Sequence, residues 1–128
     1  MRALVVDSDP ASRGEMVRLL ESAGLMVAYV TTYDGARAWV NQNPPHLLVL
    51  DLMLPDGNGV NLLEEIRARN LAVTVAIVSG APNELLADSI VLRPDGLFIK
   101  PPDIQRFRAW LGRMIQRWQE EAESGART

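Results

Sequence analysis

The chain of 128 residues has no cysteine and only one histidine, His46. Disulfides and thiolate metal sites are therefore excluded, and a histidine-based dyad or zinc cluster has little to draw on. No apolar run approaches the length of a membrane span, and no secretory signal precedes the first apolar segment. A cytoplasmic location without membrane contact is expected. The formal net charge of −3 argues against direct nucleic-acid binding by this domain. Glycine and proline are scattered and 48% of residues are apolar, so a disordered chain is excluded as well. His46 stands before an apolar run and reads as a loop residue.

Five short apolar runs are present: RALVVD, LMVAYVT, HLLVLD, VTVAIVSG and GLFIK. Three are continuous rather than alternating, as strands buried on both faces must be. Segments with helical spacing lie between them. Asp9 and Pro10 supply a cap and a first helical residue, and Met16, Leu19, Leu20 and Ala23 line one face before Gly24 ends the helix. Further helices are predicted from Tyr33 to Asn41, Val60 to Arg69 and Asn83 to Val91, and a fifth from an Asp103 cap to about residue 122. Five strand–helix alternations predict an α/β fold of flavodoxin-like (βα)5 type. Its five-stranded parallel sheet would run in the order 2-1-3-4-5 with helices on both faces. One domain over residues 1–120 is expected, with 121–128 as a polar tail or the start of a linker.

Ligands of such a sheet bind beyond the carboxyl ends of its strands, where the order reverses. Asp7 ends the first strand, Asp51 the third, Ser79 the fourth and Lys100 the fifth. A single polar residue after a strand means little, but two carboxylates, a hydroxyl and an ammonium at one edge form a constellation. A carboxylate attacks a phosphoryl group competently when its charge is offset. A hard divalent ion among oxygen ligands, or an ammonium such as Lys100, provides that offset.

The stretch LDLMLPDGNG, followed by VSG and KP, resembles the receiver domain of two-component response regulators over residues 2 to 118. The resemblance implies that Asp51 takes a phosphoryl group from a sensor histidine kinase or a phosphotransfer protein. Ser79 and Lys100 would contact the acyl phosphate. Mg²⁺ would be held by Asp7, Asp51 and the backbone carbonyl of Met53, with Ser8 or Asp9 as an open further ligand. Lys100–Pro101 is a candidate cis peptide bond. The product would be a signalling switch rather than an enzyme, and PDGNG would form a turn in which Gly57 and Gly59 take positive φ.

Two departures qualify the resemblance. Receivers usually carry two adjacent acids after the first strand, and Ser8 stands at the second of these positions. Weakened magnesium binding with phosphorylation retained is one expectation. The alternative is a pseudo-receiver, a protein-interaction module that is never phosphorylated. Asp9 either replaces the lost ligand or only caps the first helix. Where receivers often place an aromatic switch residue, this chain has Leu97, with Phe98 pointing to the opposite face. In the fifth helix, Met114, Ile115 and Trp118 extend the apolar stripe, either as core or as a seam for a homodimer through the fourth and fifth helices. Arg106, Arg113 and Arg117 read as a solvated basic face. A rival enzyme reading, with Asp7 as nucleophile of a haloacid-dehalogenase-type phosphatase and Asp9 as acid/base, leaves Asp51 without a role and fails at Pro10 and Ala11.

Overall fold

A computed structural model describes residues 1–126, so residues 127 and 128 of the expected tail lie outside the described residues. The elements alternate as β1 (Arg2–Val6), α1 (Pro10–Ser22), β2 (Met26–Val30), α2 (Tyr33–Gln42) and β3 (Leu47–Leu50), then α3 (Gly59–Ala68), β4 (Thr74–Ser79), α4 (Asn83–Val91), β5 (Gly96–Ile99) and α5 (Ile104–Ala126). A two-residue antiparallel ladder, Met53–Leu54 against Gly57–Asn58, fills the turn between β3 and α3. The five main strands are parallel and ordered β2-β1-β3-β4-β5, as the sequence predicts.

Burial explains the strand compositions. All four β3 residues are buried, because helices cover both faces of the central strand. Edge strand β2 has no fully buried residue and leaves Met26 and Tyr29 exposed. Leu4, Val6, Leu48, Leu50, Val75 and Ile77 meet α2, α3 and the start of α4 on one face of the sheet. On the other face Ala3, Val5, Val49 and Val78 meet α1 and α5. Strand alternation sends Leu97 to the first layer and Phe98 to the second, where its ring packs edge-on against Phe107 at 4.9 Å and Trp110 at 5.6 Å.

Helix ends follow local chemistry. The Asp9 side chain accepts the Ser12 N–H with Pro10 in the first turn, and Gly24 takes φ 92° after the last turn of α1. Thr32, Asn58 and Asp103 accept first-turn amides of α2, α3 and α5 in the same way. Lys100–Pro101 is cis. α5 runs past the predicted end and carries no break at residue 120. Ile115 and Trp118 pack against the second core layer, and the Trp118 indole N–H donates to Thr74 Oγ1 at 3.2 Å. These two residues are therefore partly buried at the margin of that layer. Arg106 is also structural: its guanidinium lies 4.6 Å from the Phe98 ring centre and donates to the Leu97 carbonyl.

The glycines of the PDGNG turn work differently from the expectation, since Gly24 alone among the described glycines takes positive φ. Gly59 is required by proximity. A Cβ there would lie 2.6 Å from the Asp51 carbonyl oxygen and 2.9 Å from the Leu52 Cα, both backbone atoms that cannot swing aside. We expect Gly59→Ala to lower unfolding stability by about 2 kcal/mol, read by urea denaturation, as overpacking of a closed site does.

His46 is an exposed loop residue whose Nδ1 accepts the Arg2 amide hydrogen at 3.0 Å. Partial burial, then the charges of the chain's amino terminus and Arg2, lower its pKa from the ordinary 6.5. The neutral form is thus favoured by folding. Its stabilising contribution is complete above pH 6.5 and is lost as pH falls through the lower folded-state pKa. The stability difference between the wild type and His46→Asn should therefore narrow on acidification, measured by urea midpoints on both sides of pH 6.5.

Candidate functional site

Parallel pairing continues one residue beyond three of the strands. The Asp7 N–H donates to the Val30 carbonyl (3.2 Å), Asp51 N–H to Val6 (3.0 Å) and Lys100 N–H to Ser79 (3.1 Å). The three charged residues are therefore held by sheet-like backbone bonds rather than by free loops. Asp7 is 6% exposed and Asp51 8%, so two like charges lie side by side almost out of water. Buried charges of this kind need partners.

The partner is Lys100, whose Nζ donates to Asp7 Oδ2 at 2.9 Å and to Asp51 Oδ2 at 2.8 Å. Burial alone would lower the pKa of this ammonium. The hydrogen bonds and charges of Asp51 and Asp7 outweigh it and hold the pKa above the ordinary value, so Lys100 stays charged at physiological pH. The second oxygen of Asp51 has its own donors. Ser79 Oγ, fully buried, donates to Asp51 Oδ1 at 2.6 Å, and the Met53 N–H reaches the same oxygen at 3.1 Å. Ser79 Oγ in turn accepts from the Leu52 and Ala81 amides at 3.3 and 3.2 Å.

Asp7, Asp51, Ser79 and Lys100 are thus brought together as the sequence predicts. Ser8 and Asp9 are both exposed, and Asp9 caps α1. The Met53 side chain, 54% exposed, flanks the acceptor rather than filling the site. Two contributors escaped the sequence reading. The Ser12 hydroxyl donates to Asp7 Oδ2 at 2.7 Å, while the Asp9 N–H occupies Asp7 Oδ1 at 2.9 Å. Asp56 braces the loop after Asp51 by accepting the Tyr33 and Asp34 amides at the start of α2, at 2.7 and 3.1 Å. Those two bonds lower the pKa of its exposed carboxyl. The sequence signal for Ser12 was its place in the first turn after a strand-end acid. Asp56 carried no signal beyond being a turn residue.

A family model described as the response regulator receiver domain matches residues 3–111. The chain belongs to this receiver family. Its relatives include the transcriptional regulatory protein FixJ of Azorhizobium caulinodans, 32% identical over 125 residues, covering 91% of this chain and 58% of FixJ. The acid tolerance regulatory protein ActR of Rhizobium meliloti is 30% identical over 121 residues, covering 94% of this chain and 61% of ActR. The chain thus spans about three fifths of the length of these curated relatives. A receiver domain protein (CheY-like) from Methanospirillum hungatei JF-1 superposes with a TM-score of 0.83 at 25% identity, covering 94% of this receiver and 97% of that chain. No helix among the described residues is long and apolar enough to cross a membrane.

Receiver domains generally bind Mg²⁺ beside the acceptor. The donors present here fit such an ion poorly. Mg²⁺ requires a near-octahedral set of oxygens, supplied by one or two carboxylates together with waters and phosphate oxygens. Here both carboxylates are engaged by Lys100, Ser8 brings no charge, and no three His, Cys, Asp or Glu side chains converge among the described residues.

Removing the ammonium leaves two uncompensated carboxylates. Lys100→Met should therefore lower stability at neutral pH by about 3 kcal/mol in urea unfolding, the usual cost of breaking a buried ion pair from one side.

Proposed function

We propose that Asp51 accepts a phosphoryl group from a phosphohistidine on a sensor histidine kinase or phosphotransfer protein. The observation that supports this most is the division of labour at its carboxylate, with Lys100 on Oδ2 and the Ser79 hydroxyl on Oδ1. An Asp51 oxygen attacks phosphorus, a P–O bond forms and the P–N bond breaks. The electron pair returns to the imidazole nitrogen, which takes a proton from solvent. Charge added to the phosphoryl oxygens is met by a preorganised ammonium and hydroxyl, the kind of electrostatic help this reaction needs. The domain then acts as a switch rather than as an enzyme in its own right, in the cytoplasm.

The new anion competes for Ser79, whose hydroxyl also holds the Leu52 and Ala81 amides. Drawing Ser79 inward shifts the start of the β4–α4 connection. Exposed Ile90 and Val91 at the far end of α4, and Ile99 in register with Ser79 on β5, supply apolar surface for a partner or a second copy. The names of FixJ and ActR as regulatory proteins support an output in gene regulation for a longer protein containing this domain. One observation favours a second reading, a pseudo-receiver that binds partners without phosphorylation: Ser8 is neutral and exposed where receivers carry an acid.

Incubation with acetyl phosphate or phosphoramidate, with and without Mg²⁺, followed by mass spectrometry tests both. One phosphoryl group on Asp51, absent from Asp51→Asn, is the expected result. Ser79→Ala should slow labelling about tenfold, the worth of one hydrogen bond to developing charge. An unmodified Asp51 with every donor would leave the binding-module reading, and modification of Asp7 would overturn both.

A further inference from the structure

We propose that Lys100 is the resident cation of this pocket, and that Ser12, by occupying Asp7, keeps Mg²⁺ from competing for it at millimolar concentration. The inference rests on the acceptor reading for the meaning of a cation at Asp51, and its argument is one of charge and lone pairs. Asp7 and Asp51 bring two negative charges and Lys100 returns one, a net charge of −1 for these three side chains, with the Arg13 guanidinium as a further cation 3.2 Å from the Asp7 carbonyl. An acid in place of Ser8 would raise the net negative charge, and the attraction for a divalent ion would rise with it.

The available lone pairs point the same way. Asp7 Oδ1 accepts from the Asp9 amide, and Asp7 Oδ2 accepts from both Ser12 Oγ and Lys100 Nζ. Asp51 Oδ1 accepts from Ser79 Oγ and the Met53 amide, and Asp51 Oδ2 from Lys100. Three of the about four lone-pair sites of each carboxylate are thus occupied, so a magnesium ion finds one open site on each and must displace the ammonium or redirect the Ser12 hydroxyl to gain more. Little stands ready to compensate. Asp9 is exposed and committed to the Ser12 amide. Glu15 lines the small recess that also borders Asp7, Ser12 and Asp51, yet it does not gather with the two aspartates. Ser12 is thus a positioning residue. It acts through Asp7 and shares one oxygen with the ammonium that reaches Asp51.

The test is a Mg²⁺ titration of the ¹⁵N-labelled protein, reading the amide shifts of Asp7, Asp9, Asp51 and Met53, with Mn²⁺ broadening of the same signals as a second readout. The wild type should show no saturation through the millimolar range. Ser8→Asp, a change at an exposed position, should bind saturably and at least about tenfold more tightly. Ser8→Asp combined with Ser12→Ala should bind more tightly still, an effect that loss of packing alone would not produce. The same spectra show that each variant is folded. Saturation of the wild type in the low millimolar range, or equal affinity in Ser8→Asp, would overturn the inference. An unaltered affinity on adding Ser12→Ala would remove Ser12 from it. Either result leaves phosphorylation of Asp51 standing, whereas an Asp51 that resists every phosphodonor would sink the acceptor reading and leave the cation measurement intact.

Discussion

Two carboxylates on adjacent buried strands repel each other, and an ammonium from the sheet's edge bridges them and offsets that repulsion. Lys100 Nζ lies within 3 Å of an oxygen of each, at 2.9 and 2.8 Å. In a partly dehydrated setting such an arrangement is strained by like charge and relieved by the cation, so any charge added to Asp51 acts on a balance already set. The chemistry of the site and its stability are therefore the same interaction viewed from two sides.

The backbone around Asp51 is wired to three helices. Gly59, at the first position of α3, lies against the Asp51 carbonyl so closely that no side chain fits. Asp56 ties the following turn to the N-terminus of α2, where the first-turn amides would otherwise lack partners. Ser79 joins Asp51 to the Ala81 amide ahead of α4. Hydrogen bonds and one close backbone contact thus link the surroundings of Asp51 to the starts of α2, α3 and α4. The opposite face, with Phe98, Phe107 and Trp110 interlocked and α5 laid across it, contains the larger aromatic contacts, and α1 on that face reaches the site through Ser12.

The departure at Ser8 changes the balance without changing the fold. Ser8 is exposed and contributes no core contact, so the sheet assembles the same way with a hydroxyl there. The site loses a charge but keeps Asp7, which finds its donors in Asp9, Ser12 and Lys100. Membership of the receiver family and the behaviour of this particular acidic pocket are thus separable properties.

Most of the architecture was legible because burial and periodicity are local signals. Continuous apolar runs announced strands covered on both faces, and Asp9–Pro10 and Gly24 marked the ends of α1. Asp7, Asp51, Ser79 and Lys100 were legible for a related reason: a parallel sheet sends every strand end to one edge, so position in the alternation alone places them together. What stayed hidden depends on distances across the fold. The role of Asp56 at α2, the reach of Ser12 to Asp7, the proximity rather than positive φ that requires Gly59, and the burial of Trp118 against Thr74 each join segments whose separation in the chain is unrelated to their separation in space. Sequence alone determined which groups arrive at the edge, because strand order follows from pattern. Only the tertiary structure decided which lone pairs those groups keep free, because that depends on side-chain geometry resolved to fractions of an ångström.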